Sequence, residues 1–138
     1  MFDKILLAID GSEPSRRAVA VAAGVATRYG GEVFVLHDRE RELVPASGVV
    51  DLETSPEAMQ LIDSVVRRLK DDGVSVRGEF IATTIGCVAP IVVDTARQED
   101  AGLIVMGTRG LSDWGGLVLG SVTHRVIHLS ETPVLVVR

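Results

Sequence analysis

Five short apolar runs, each closed by turn residues and separated by helix-like segments, constrain this chain more than any other feature. The first is Lys4-Ile-Leu-Leu-Ala-Ile9, closed by Asp10-Gly11-Ser12. A run of this length and continuity suits a strand buried on both faces. An Ala/Val-rich helix follows to Tyr29, with Ser12 or Ser15 as its cap, Pro14 in its first turn and Gly30-Gly31 at its close. Glu32 to His37 reads as the second strand. Asp38 to Thr54 is polar and mixed, and reads as a partly mobile connection.

Ser55-Pro56-Glu57 opens the next helix, which runs to about Asp72 with Met59, Ile62, Val66 and Leu69 at helical spacing. Gly73 ends it. Val74 to Ala82 alternates as a strand, with Val74, Val76 and Phe80 inward. A loop from Thr83 to Cys87 leads to a helix from Val88 to Glu99 with Pro90 in its first turn. Gly102 to Met106 is a strand, Gly107 to Gly120 a glycine-rich loop, Ser121 to Ser130 a helix, and Thr132 to Val137 a final strand. Strict alternation of strand and helix predicts an α/β fold: a single open, five-stranded parallel sheet with helices on both faces. At 138 residues, one domain spanning 1–138 is the expected count.

Composition narrows the function. The hydrophobic share is 46% with only 4% aromatics, so the core is built from Val, Leu, Ile and Ala. A net charge of −5 argues against a nucleic-acid-binding face. A single cysteine, Cys87, excludes an intrachain disulfide and fits a reducing, cytoplasmic setting. No apolar run approaches the length of a membrane span, and the opening residues do not read as a signal peptide.

Ligands of open parallel sheets bind beyond the carboxyl ends of the strands. Asp10-Gly11-Ser12, His37-Asp38 and the loop after the fourth run collect there. That loop reads Gly107-Thr-Arg-Gly110-Leu-Ser-Asp-Trp-Gly115-Gly116-Leu-Val-Leu-Gly120-Ser121. Its glycines permit tight turns and close backbone approach. Gly120 and Ser121 stand where a helix begins, and the N–H groups and dipole of a helix start attract phosphate. Arg109 adds a cation that can contact phosphate directly.

Gly107, two residues, Gly110, nine residues, then Gly120-Ser121 resembles the nucleotide-binding signature of the universal stress protein family. Lys4-Ile-Leu with Asp10-Gly-Ser12, Leu103-Ile-Val-Met106 and Pro133-Val-Leu-Val-Val137 also resemble that family, so the likeness covers essentially the whole chain. The resemblance implies a Rossmann-like, adenine-nucleotide-alpha-hydrolase-like fold of the ATP-binding branch. It implies that Gly107, Gly110, Gly120 and Ser121 hold phosphates and ribose, that Asp10 lies on the adenine or ribose side, and that Ala8 and Ile9 line the base pocket through backbone groups. Met106 and Val122 would flank the site. Mg²⁺ or Mn²⁺ would ride on the phosphates. The final strand, Val134 to Val137, would pair antiparallel with its twin to form a homodimer, which would signal ATP occupancy to a protein partner. AMP and ADP stay open as ligands.

The chain departs from the family pattern at three places. Asp38 stands where the family usually has an apolar residue against the base. Trp114-Gly115-Gly116 replaces residues that are often basic. Gly86-Cys-Val-Ala-Pro90 is atypical before its helix.

Other constellations carry less. His124 and His128 share a helix face, but the zinc-hydrolase pattern is missing, and they read as surface or dimer-adjacent histidines. His37 reads as a structural hydrogen-bonding residue. Asp10, Ser12 and His37 lack the Gly-x-Ser-x-Gly elbow of a hydrolase. Cys87 reads as small, inert and partly buried. The Walker lysine motif is absent. No motif positions a base to activate water, so any ATP hydrolysis is expected to be slow. Two alternatives remain: a slow metal-dependent ATPase or adenylyl-transferring enzyme, and an interaction module of the same fold that binds no nucleotide.

Overall fold

The computed structural model describes residues 1–44, 48–51, 55–84, 86–108 and 119–138. Side chains are described in these segments except at 39–44, 48–51, 55 and 84. Ten elements follow in the order β1 (Lys4–Ile9), α1 (Glu13–Tyr29), β2 (Glu32–Val44), β3 (Gly48–Asp51), α2 (Ser55–Asp71), β4 (Ser75–Thr84), α3 (Val88–Gln98), β5 (Leu103–Gly107), α4 (Ser121–Leu129) and β6 (Val134–Val137).

Five strands form the parallel sheet expected from the sequence. β1 pairs with β2 on one side and β5 on the other, β4 lies outside β2, and β6 outside β5. The parallel order is therefore β4-β2-β1-β5-β6. The sheet has two apolar faces because its strands alternate. Ile5, Leu7, Ile9, Val33, Val35, Leu103 and Val105 share one core with α1 and α2. Leu6, Phe34, Leu36, Ile104 and Met106 share the other with α3 and α4. Helices thus cover both faces. Small residues on α1, including Ala18, Ala22 and Ala26, are almost wholly buried, which lets that helix lie close on the sheet.

Four readings need correction. The second strand does not end at His37: β2 continues to Val44, and β3 returns antiparallel from Gly48 to Asp51, so these parts of the supposed connection are strand. The charged run could not be recognised as strand from apolarity. Its residues are held by backbone pairing, with Asp38 to Arg41 running in register beside Ile81 to Thr84. That pairing also extends β4 into the supposed loop after Ala82. On α2, the buried stripe is Ala58, Ile62, Val65 and Leu69, while Met59 is exposed. A small alanine marks the inward face there, and the larger Met59 lies one position off it. Cys87, expected to be partly buried, is exposed.

Candidate nucleotide-binding crevice

β1 and β5 are neighbours, but the chain leaves their carboxyl ends toward opposite faces of the sheet. From β1 it enters α1, which packs in the first core; from β5 it leads to α4, which packs in the second. This divergence marks the point where strand order reverses, where open α/β sheets usually form the crevice that takes a ligand.

The β1 side is closed upon itself. The Asp10 carboxylate accepts the Ser12 N–H at 2.9 Å. The Ser15 hydroxyl, buried in the first turn of α1, accepts the Asp10 N–H at 3.1 Å. Ser12 is the cap, and its hydroxyl accepts the Ser15 N–H at 3.3 Å. Gly11 supplies the left-handed turn, at φ 81°, that brings these groups together. Glu13 follows in the first turn. Hydrogen bonding from Arg16, and then its charge, hold the Glu13 carboxyl below the usual carboxylate range. A helix start that carries Asp10 and Glu13, and is capped by its own side chains, is poorly suited to an anion.

The β5 side is arranged differently. A Cβ on Gly107 would come within 2.6 Å of the Pro14 carbonyl carbon and the Ser15 nitrogen. Gly107 is therefore needed where β5 meets the first turn of α1. Its carbonyl accepts the hydroxyl of Thr123 at 3.1 Å, and Thr123 is buried. The Thr108 N–H donates to the Val137 carbonyl at 2.9 Å. These bonds hold the start of α4 and the end of β6 against the carboxyl end of β5. Gly120 caps α4 at φ −57° and ψ 148°, a conformation open to any residue. Backbone strain does not demand glycine there. Among the described residues no side chain caps this helix, and its first N–H groups lie ahead of the first intrahelical bond, from His124 N–H to the Gly120 carbonyl. The second helix start thus offers uncapped donors and no acidic residue in its first turn.

The remaining candidate residues divide by sheet face. Ala8, Met106 and Val122 all belong to the core under α3 and α4. Asp38 lies at the matching alternation on β2, half-buried, with both carboxylate oxygens withdrawn from solvent. Ile9 points into the opposite core, and its carbonyl accepts the His37 Nδ1–H at 2.8 Å. His37 is buried, so its role as a hydrogen-bonding strut across β1 and β2 is as read from the sequence. The Ser12 hydroxyl serves as the α1 cap, accepting the Ser15 N–H. Arg109 and Gly110, with the Trp114-Gly116 stretch, lie outside the described residues. Thr123 was missed by sequence reasoning. A hydroxyl three residues before Val126 on the buried stripe of α4 was the available signal.

The sheet order and the two faces of helices define an open, Rossmann-like α/β protein, and comparison with known proteins gives its family. The Universal stress protein family model matches residues 1–138, so the chain belongs to the universal stress protein family. A universal stress protein of Thermus aquaticus is 36% identical, with the full length of both chains covered. The structure of a universal stress protein from Archaeoglobus fulgidus superposes with a TM-score of 0.79 at 26% identity, covering 100% of each chain. A universal stress protein solved in complex with cAMP has a TM-score of 0.75 at 25% identity, covering 99% of this chain and 97% of that one.

Proposed function

We propose that residues 1–138 form one nucleotide-binding domain that holds ATP in the β1–β5 crevice and works as a dimeric stress-response module. The uncapped start of α4 beside the end of β5 carries this reading. Phosphates lie against the N–H groups of Ser121 and Val122, where donor geometry and helix dipole act together. Gly120 leaves room for them. Gly107 keeps β5 against α1. Arg109, through its charge, and Gly110, as the family's glycine spacing implies, contribute to holding the phosphates. The adenosine part lies toward Ala8, Ile9, Asp10 and Met106, with Val122 at its flank and Asp38 at the edge. Mg²⁺ or Mn²⁺ is held through phosphate oxygens. The cAMP complex of the related protein supports an adenine nucleotide as the ligand class.

The contrast between the two helix starts supports this orientation. The start of α1 carries the Asp10 carboxylate and Glu13 and repels phosphate, whereas that of α4 attracts it. β6 has no described partner on its outer edge. Its Leu135 is exposed, and a second copy pairing there covers both. The protein acts in the cytoplasm and signals occupancy to a protein partner, with hydrolysis slow or absent.

Thermal unfolding of nucleotide-free protein with AMP, ADP, ATP, cAMP and GTP, each with and without Mg²⁺, tests the ligand class. A ligand at a hundredfold excess over its Kd stabilises by about 2.7 kcal/mol, which raises Tm by roughly 10 °C in a chain of this size. A rise with adenine nucleotides and none with GTP supports the reading. No rise with any nucleotide favours the interaction module that binds none.

A further inference from the structure

Away from the crevice, the exposed face of α4 carries His124 and His128, one turn apart. Their Nε2 atoms are 3.1 Å apart. Their ring centres are 4.4 Å apart, with an interplanar angle of 64°. The nitrogen tips are closer than the ring centres, so the Nε2 atoms are the parts of the two rings turned toward each other. A contact of this kind requires one nitrogen to act as an acceptor. The helix beneath is anchored by Thr123 and Val126, both buried. Arg125, the nearest cation in sequence, is engaged with the Gly86 carbonyl at 2.7 Å.

We propose that His124 and His128 form a two-imidazole site for a borderline divalent transition-metal ion of the Cu²⁺, Ni²⁺ and Zn²⁺ class. A metal–imidazole bond is about 2.0–2.1 Å long, and two of them meeting at about 100° set their nitrogens roughly 3.1 Å apart. The observed separation therefore matches the bite of one ion. Imidazole selects this class, whereas Mg²⁺ and Ca²⁺ prefer oxygen ligands. The site is thus chemically distinct from a phosphate-bound Mg²⁺ in the crevice. Among the described residues no group of three or more His, Cys, Asp or Glu side chains is set to hold a metal. Water completes the coordination, leaving positions that a donor from a second molecule can take.

The test is titration of the full-length, nucleotide-free protein with Cu²⁺ and Zn²⁺ in a non-chelating buffer. A Cys87→Ser background removes the exposed thiol, which competes for the same ions. Saturable binding, tighter for Cu²⁺ than for Zn²⁺ and weakened at least fivefold by His124→Gln and by His128→Gln separately, supports the site. Undetectable binding, less than fivefold weakening in either variant, or a reversed metal order overturns it. Both positions are exposed, so the variants should fold, and circular dichroism checks this. As a second readout, trace Ni²⁺ broadens the ring signals of His124 and His128 before that of buried His37; equal broadening of all three contradicts the assignment.

Discussion

The hydroxyl of Thr123 donates to the carbonyl oxygen of Gly107 at 3.1 Å, fastening the first turn of α4 to the carboxyl end of β5. These two residues bracket the long glycine-rich segment, so their bond fixes where its ends stand. Thr123 is almost fully buried, and an interior hydrogen bond is costly to break once its partner is left behind.

Thr123→Val keeps the shape and removes the donor. It should cost about 1–3 kcal/mol of stability, measured by urea denaturation. Thr123→Ser, which keeps the hydroxyl and loses only a methyl group, should cost less. If the valine variant is as stable as the parent, the bond does not anchor α4.

Gly107 and Gly120 look equivalent in the sequence but differ in the structure. A Cβ on Gly107 meets the backbone of Pro14 and Ser15, which cannot yield as a side chain can. Gly107→Ala should destabilise by about 1–3 kcal/mol through overpacking. Gly120→Ala, at a conformation any residue adopts, should remain near the parent in stability. Denaturant midpoints compare the two; equal effects would remove the distinction.

Leu135 is an exposed apolar residue on an outer strand. Leu135→Asp should convert the protein to a monomer by placing a charge in the edge-to-edge contact. Sedimentation velocity reads this directly: the parent should run at twice the 14.7 kDa chain mass and the variant at that mass. A monomeric parent, or a dimeric variant, would place the contact elsewhere.

Local apolarity and turn chemistry made most of the fold legible. The runs at Lys4–Ile9 and Leu103–Gly107 have no polar interruption and became central strands. Ser12, Gly30 and Gly73 sit where the chain needs a cap or a left-handed turn. The continuation of β2 through Asp38 to Val44 was not legible, because its strand state depends on register with β4 rather than on its own apolar pattern. The glycine spacing placed Gly107 at the end of β5 and Gly120 at the start of α4. It could not reveal that Gly107 serves packing against Pro14, or that Ile9 and Ala8 face opposite cores. Those are tertiary facts, set by which helix crosses which strand.

The most direct test of the central claim is isothermal titration of nucleotide-free protein with ATP and Mg²⁺, in parallel with Gly120→Val. Gly120 has a backbone conformation that valine can adopt, so the variant should stay folded while its side chain fills the space proposed for phosphate. The account predicts saturable binding by the parent and at least a tenfold loss in the variant. Equal affinity in both, or no binding by the folded parent, would contradict a phosphate site at the start of α4.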